Sequence, residues 1–162
     1  MKATELLKKQ HREVKGLFRD VKKASDARSR RSGMDEIAAK LEAHMRIEEQ
    51  IFYPAVQEIG TKKADEIVPE AYEEHHVAQL VLGELPQVDP KDERFEAKMT
   101  VLEELIEHHV EEEEKEMFKL AEKLGTERLA ELGDEMQDAL GNEGSRSGGR
   151  RAMRAAAGGA RH

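Results

Sequence analysis

One repeated spacing of histidine and glutamate constrains the fold of this chain more than any other feature. The pattern His-x-x-x-Glu-Glu occurs at His44, Glu48 and Glu49 and again at His109, Glu113 and Glu114. About 33 residues before each copy lies one further histidine, His11 in the first half and His75 in the second. Residues four apart on an α-helix lie on nearly the same face, so each copy directs an imidazole and a carboxylate the same way. The chain is therefore predicted to contain two copies of one helical unit.

Together the two units supply the donors of a metal site. Helices packed around a common axis would enclose four imidazoles and two carboxylates, from His11, His44, Glu48, His75, His109 and Glu113. No Lys or Arg lies on these faces, and an unpaired charge buried in a protein costs several kcal/mol. One or two divalent cations would compensate the carboxylates. We therefore expect a metal site, and the duplication of the donors indicates two metals.

The apolar pattern predicts an all-α fold. Apolar residues recur at steps of three and four from residue 3 to residue 140, and no alternating strand pattern appears. The first helix is expected to begin at Thr4 and to end before a loop over 24–33, after which Asp35 caps the second helix. A turn over 61–68 is expected to lead to Pro69 at the start of the third helix. Short connections make neighbouring helices antiparallel, which predicts an up-down-up-down four-helix bundle.

The rest of the chain is predicted to hold the fourth helix, over about 92–124, and a short fifth amphipathic helix from Thr126. The segment 141–162 is rich in Gly, Ser, Ala and Arg and has no apolar period, which predicts a disordered basic tail. The predicted organisation is thus one metal-binding domain over residues 1–140, followed by this tail.

Composition excludes several classes of function. The chain has no cysteine, which leaves histidine and carboxylate as the metal ligands. The net charge is −8, and because the tail is basic, residues 1–140 are more acidic still and should repel nucleic acid. No segment has the apolar length of a signal peptide or of a membrane span, so we expect a cytoplasmic protein.

Two pairs of adjacent histidines, His75-His76 and His108-His109, leave open which member of each pair points into the bundle. Adjacent residues on a helix point about 100° apart, so only one member of each doublet faces the core. The residues at 3, 6, 7 and 10 positions after His75 are apolar, as they are after His11, whereas those after His76 match poorly. Superposing the two His-x-x-x-Glu-Glu copies selects His109 and turns His108 toward the acidic outer face.

These residues resemble the hemerythrin-like HHE cation-binding domain. The resemblance covers residues 1 to about 125 and depends on the order and spacing of the histidines and of both His-x-x-x-Glu-Glu copies, each followed by an apolar pair, Phe52-Tyr53 and Met117-Phe118. It implies a four-helix bundle that holds two non-haem iron ions joined by an oxo or hydroxo bridge. The implied bridging ligands are Glu48 and Glu113, and the implied terminal ligands are His11, His44, His75 and His109.

The chain departs from the oxygen-carrying hemerythrins in the third helix. Those proteins place a second histidine four residues after the first, where this chain has Gln79. They also end with His-x-x-x-x-Asp, where this chain has His109-x-x-x-Glu113. The resemblance then implies about two open positions on each iron, which favours activation of dioxygen or peroxide over reversible oxygen storage. Gln79 and Tyr72 are further candidate donors.

Two functions fit this pattern. The first is a di-iron protein that reacts with dioxygen or hydrogen peroxide, as a catalase- or oxidase-like enzyme would. The alternative is a non-enzymatic module that stores iron or senses iron or oxygen. A ferritin-like carboxylate enzyme needs Glu-x-x-His on two helices, and only Glu73-x-x-His76 has that spacing. A purely structural bundle is the remaining alternative.

The choice within each doublet can be tested by metal content. His75→Ala and His109→Ala should each lose metal, because each removes an inward nitrogen donor. His76→Ala and His108→Ala are the matched controls and should retain it. Elemental analysis of the four loaded variants measures this, and retention by the first pair with loss by the second would reverse the assignment.

Overall fold

The apolar residues spaced three and four apart form one face of each of five helices in the described residues. The structure is a computed structural model, which describes the backbone of residues 1–157 and the side chains of residues 1–142. The helices are α1 (Ala3–Lys23), α2 (Ala27–Ile47, continued by Glu48–Phe52 and Tyr53–Gln57), α3 (Lys62–Glu84), α4 (Glu93–Glu112, continued by Glu113–Met117 and Phe118–Ala121) and α5 (Thr126–Ala157). The described residues contain no strand. The predicted all-α fold is confirmed.

The first four helices enclose two separate apolar cores. α1 packs along α2, α3 packs along α4, and α5 lies against α1 and α2. The first core gathers the N-terminal end of α1, the C-terminal ends of α2 and α4, and α5, through residues such as Leu7, Phe52 and Met136. The second core gathers the opposite end of the bundle, through residues such as Phe18 and Phe95. The level of the bundle between these cores carries the repeated histidines.

Each His-x-x-x-Glu-Glu copy ends in a π-helical turn, Glu48–Phe52 in α2 and Glu113–Met117 in α4. A π turn adds one residue to the helical repeat and often occurs at functional sites. In α2 the wide turn brings Tyr53, five residues after Glu48, back toward the face that carries Glu48. In a regular α-helix five residues advance about 500°, which would turn Tyr53 about 140° away from Glu48.

Pro54 is accommodated by this π turn. In the π pattern the N–H of Tyr53 donates to the carbonyl of Glu48, so the next donor along the helix would be residue 54. Proline has no N–H, and the carbonyl of Glu49 instead accepts a hydrogen bond from the Tyr72 hydroxyl at 3.0 Å. The helix therefore continues through Pro54, and α3 supplies the missing donor.

The predicted loop over 24–33 is wrong beyond its first residues. α2 begins at Ala27, and the carboxylate of Asp26 caps it by accepting from the backbone N–H of Ser29 at 2.7 Å. Asp35 therefore lies inside the helix. The stretch is polar because it lies mostly at the surface, and the Arg31 guanidinium donates to two carbonyls of the α3–α4 connection.

The predicted turn over 61–68 is also wrong. α3 begins at Lys62 and is capped by Thr61, whose hydroxyl accepts from the backbone N–H of Ala64 at 3.2 Å. Pro69 consequently lies within the helix, at a cost of about 3 kcal/mol. Burial of Ala64 and Val68 in the first core offsets this cost.

The two ends of the described chain also differ from the prediction. α1 begins at Ala3, so Thr4 lies in its first turn and not at the cap. α5 runs to Ala157 and is longer than the short fifth helix expected, because it continues past residue 140 into the segment predicted to be disordered. Residues 158–162 lie outside the described residues, and the division into domain and tail stays a prediction. No helix among the described residues has the length and apolarity needed to cross a bilayer.

The contact between α1 and α2 can be tested at Gly33. A Cβ atom there would lie 2.3 Å from Cγ2 of Val21, whereas one at Gly16 would meet nothing within 4 Å. Because Val21 is buried and stiff, Gly33→Ala should destabilise the fold by about 1–3 kcal/mol. Gly16→Ala is the control and should stabilise it by about 0.5–1 kcal/mol. Denaturant unfolding measures both, and equal stability of Gly33→Ala and the parent would contradict this packing.

Candidate metal centre

The six predicted ligands meet at one place, between the two apolar cores. Each is at most 7% exposed, and they are His11, His44, Glu48, His75, His109 and Glu113. Among the described side chains these six are the buried polar or charged ones. The fold therefore concentrates its buried polarity in a single cluster, and each of α1, α2, α3 and α4 contributes to it. Their role as metal ligands stays a prediction.

The doublets have the predicted orientation. His75 and His109 are 2% and 5% exposed. His76 is exposed, and the side chain of His108 is 67% exposed and lies 3.3 Å from the carboxylate of Glu112. The inward stripes deduced from the sequence are therefore correct for both doublets.

The donors form two groups that share a glutamate. Donor atoms of His11, His44, Glu48 and Glu113 lie within 4.8 Å of one another, and so do those of Glu48, His75 and His109. Either group could hold one metal ion. Because Glu48 belongs to both groups, the arrangement resembles a pair of adjacent metal positions and not two independent sites.

Both glutamates turn one oxygen toward each histidine pair. Oε1 of Glu113 lies 3.3 Å from Nε2 of His11, and Oε2 lies 3.2 Å from Nε2 of His109. Oε1 of Glu48 contacts Nε2 of His44. Its other oxygen, Oε2, lies 3.8 Å from Nε2 of His75. Each carboxylate therefore lies between the two histidine pairs.

The buried carboxylates lack hydrogen bonds that would satisfy them. Both oxygens of Glu48 and Oε1 of Glu113 are buried without a hydrogen-bond partner in the described residues. A buried, unsatisfied carboxylate is costly, and buried charges are normally paired or coordinated to metals. Imidazole and carboxylate donors suit iron, manganese, zinc and cobalt. The donor set therefore fits divalent or trivalent cations of this kind.

Protons partly replace the cations in the metal-free site. Burial would lower the pKa of His109, but hydrogen bonding to Glu113 and its negative charge outweigh burial and raise it well above the ordinary value. Burial also lowers the pKa of His11, but Glu113, whose Oε1 lies 3.3 Å from Nε2, together with Glu48 and Glu114, outweighs burial and raises it. Burial lowers the pKa of His75 to about 4. The metal-free centre therefore holds protonated and neutral imidazoles side by side.

Tyr53 is a site residue that the sequence analysis missed. Its hydroxyl donates to Oε2 of Glu113 at 2.7 Å and lies 3.1 Å from Nε2 of His75 and 3.3 Å from Nε2 of His109. Burial, together with the charge of Glu113, raises its pKa well above the usual value, so it keeps its proton in the metal-free site. It adds a third oxygen donor beside the second histidine pair.

A signal for Tyr53 was present in the sequence. The first copy of the motif is followed by Phe52-Tyr53 and the second by Met117-Phe118, so a hydroxyl distinguishes the two halves at equivalent positions. The regular helical period placed this pair in the apolar core. The π turn, which the period does not indicate, rotates Tyr53 into the centre.

Tyr72 and Gln79, the two further candidate donors, lie outside the centre. Tyr72 donates its hydroxyl to the carbonyl of Glu49 and packs edge-on against Tyr53. Gln79 is exposed. The buried stripe of α3 passes through His75 and Ala78, and Gln79 lies on the far side of His75 from that stripe, because four residues advance a helix by about 40° beyond a full turn.

A small apolar cavity touches all four inward histidines. Its other lining residues include Val14, Leu41, Met45, Ile106 and Val110. The cavity has room for about one water-sized molecule. A second, larger groove between α1 and α4 reaches His11 from the surface and is bordered by four glutamates, Glu103, Glu107, Glu111 and Glu114.

Comparison with known proteins identifies relatives of the whole centre. The family described as Hemerythrin HHE cation binding domain matches residues 2–121. An uncharacterised protein of Mycobacterium tuberculosis is 29% identical over 139 residues, which are 84% of this chain and 83% of that protein. A DNA nickase of a Nostoc species is 23% identical over 151 residues, which are 92% of this chain but only 42% of the nickase.

A solved structure shares the fold. It is the crystal structure of a hemerythrin HHE cation binding domain-containing protein from Mycobacterium kansasii, a homologue of the M. tuberculosis protein. It superposes with a TM-score of 0.77 at 28% identity and covers 90% of this chain and 89% of its own. All six predicted ligands lie within the residues that the family model matches.

Metal uptake should release protons, because the pKa values of His11 and His109 are raised in the metal-free site and a coordinated imidazole nitrogen must be deprotonated. Affinity should therefore rise as pH increases through their pKa values and fall on acidification, with loss of metal below about pH 5. Calorimetric titration with Zn²⁺ in two buffers of different ionisation enthalpy measures the protons released. A heat that is independent of the buffer would contradict this.

Proposed function

This chain belongs to the hemerythrin HHE cation-binding domain family, and we propose that it binds two iron ions in the buried centre and reacts there with dioxygen or hydrogen peroxide. One observation carries the proposal. Two histidine pairs flank two carboxylates, and each carboxylate turns one oxygen toward each pair. A pair of iron ions would supply the redox change that such small oxidants require.

Each metal position has its own terminal donors. Nε2 of His11 and Nε2 of His44, which lie 3.2 Å apart, would hold the first ion. Nε2 of His75 and Nε2 of His109 lie 3.1 Å apart and would hold the second. The hydroxyl of Tyr53 is close to the second pair only. Glu48 and Glu113 would bridge the two positions.

The chain's own residues restrict what reaches the centre. The cavity beside the four histidines is lined by aliphatic side chains and has room for about one water-sized molecule. A cavity of this size and lining suits a small neutral molecule better than a large or charged one. This size limit supports dioxygen or hydrogen peroxide as the reacting molecule.

Tyr53 supplies a proton donor at the centre. Its hydroxyl donates to Oε2 of Glu113, and its raised pKa keeps the proton on the phenol while the site is empty of metal. A donor at this point holds the Glu113 carboxylate in orientation. It also stands within reach of a small molecule near His75 or His109.

A second candidate function is iron or oxygen binding without turnover, as in a store or a sensor. The groove that reaches His11 favours it. Four glutamates and Lys15 border that groove, and Lys22 and Lys115 pair with two of the glutamates, Glu103 and Glu111. The other two carboxylates, Glu107 and Glu114, would attract cations toward its inner end. Both functions require cations to enter the centre. Whether the loaded protein turns over hydrogen peroxide or dioxygen therefore decides between them.

The test is iron loading followed by oxidation. Protein loaded with Fe²⁺ without air should hold two irons per chain, and aeration should produce the near-ultraviolet absorption of ferric iron. Hydrogen peroxide should then be turned over with oxygen evolution. His44→Ala and His109→Ala should each lose iron and turnover, whereas His108→Ala, the surface control, should keep both.

The outcomes separate the candidates. One iron per chain, or none, would overturn the two-metal centre. Two irons with no consumption of peroxide and no oxidation by air would leave the binding module as the function. A lasting, reversible oxygen adduct would overturn the proposal that dioxygen reacts.

A further inference from the structure

Each of the four inward histidines directs its outer nitrogen, Nδ1, toward a polar side chain outside the centre. Nδ1 of His11 lies 3.0 Å from Oε1 of Glu114, and Nδ1 of His44 lies 2.6 Å from Oε1 of Gln10. Nδ1 of His75 lies 3.8 Å from Oε1 of Glu49, and Nδ1 of His109 lies 3.5 Å from Oε1 of Glu74. We name Gln10, Glu49, Glu74 and Glu114 the outer residues.

The outer residues follow the duplication of the chain. Gln10 and Glu74 immediately precede His11 and His75, and each faces the second histidine of its own half. Glu49 is the second glutamate of its motif. It faces His75, the histidine that precedes the motif in the other half of the chain. Glu114 does the same for His11. The second glutamate of His-x-x-x-Glu-Glu therefore links the two halves.

The two halves differ in how closely these contacts are made. In the first half both contacts are hydrogen bonds. In the second half Nδ1 of His75 and Nδ1 of His109 are buried and have no hydrogen-bond partner among the described residues, although a carboxylate lies within 3.8 Å of each. A buried N–H requires an acceptor, and Glu49 and Glu74 are part-exposed side chains that can move the remaining distance of under one ångström.

The two halves also differ in charge. Gln10 is neutral, and the residue at the equivalent position of the second half, Glu74, is an acid. A carboxylate is a stronger acceptor than an amide, and it makes the imidazole it holds a better metal donor. The position held by His11 and His44 thus has one outer carboxylate, and the position held by His75 and His109 has two.

We propose that the outer residues are positioning residues of the metal centre, and that neutral Gln10, where the other half has Glu74, makes the position held by His11 and His44 the weaker of the two. The proposal rests on the two-metal centre proposed above. It predicts that this position fills second and gives up its ion first.

Stepwise titration of the metal-free protein with Co²⁺ tests the proposal, with calorimetry for affinity and visible absorption for the coordination at each step. The parent should show two separated steps. Glu74→Gln should weaken the tighter step by about tenfold and leave the other unchanged. Gln10→Glu should strengthen the weaker step by a similar factor. Both substitutions preserve side-chain size, so neither removes a contact. Each should reduce the difference in affinity between the two Co²⁺-binding steps.

Matched controls isolate the outer residues from other causes. Glu73→Gln removes the same charge from an exposed neighbour, and Gln79→Glu adds one at another exposed site. Tyr53 lies beside the second histidine pair and could separate the steps by itself, but every one of these variants retains it. The unfolding temperature of each metal-free variant identifies any change in the fold.

The outcomes distinguish this inference from the proposed function. The inference is supported if Glu74→Gln and Gln10→Glu each change the Co²⁺ affinity of one step only, and if the controls change neither. An equal change in the Co²⁺ affinity of both steps would overturn the role of the outer residues and leave the two-metal centre intact. The same change in affinity in Glu74→Gln and in Glu73→Gln would do so too. Uptake of fewer than two Co²⁺ per chain would overturn both.

Discussion

The rest of this structure depends on the burial of two carboxylates with no permanent cation beside them. Glu48 and Glu113 lie at most 2% exposed in the middle of a bundle, and three of their four oxygens have no hydrogen-bond partner in the part of the chain that the structure describes. Burial of such charges is tolerated only when positive charge is supplied. In the metal-free site imidazolium groups supply it in part, and the geometry of the donors fits metal ions that would supply it in full.

The fold is organised to hold these charges apart from water. An apolar core lies on each side of the centre along the bundle axis, and electrostatic interactions are stronger in such a low-dielectric setting. The two π turns lie directly at the glutamates. They widen the helix where Tyr53 enters the centre, and the hydroxyl of Tyr72 satisfies the carbonyl that Pro54 leaves without a donor.

Duplication gives the centre its symmetry, and a few substitutions break it. The two halves place histidine and glutamate at equivalent positions. When the halves are aligned, however, Tyr53 corresponds to Phe118, and Gln10 corresponds to Glu74. Both differences add oxygen donors or negative charge on the side of His75 and His109. Two otherwise similar metal positions would consequently differ in their electronic surroundings.

The sequence by itself determined the helical class, the duplication and the inward orientation of all six predicted ligands, because four-residue spacing is preserved wherever a helix is regular. Only the tertiary structure decided where helices begin. The caps at Asp26 and Thr61 are local, but the segments that follow them also contact the rest of the bundle, through Arg31 in α2 and through Ala64 and Val68 in α3. It alone placed Tyr53 in the centre and Gln79 at the surface. The π turn that positions Tyr53 leaves no period in the chain. Gln79 advances only about 40° past His75, and the sequence pattern does not resolve so small a rotation.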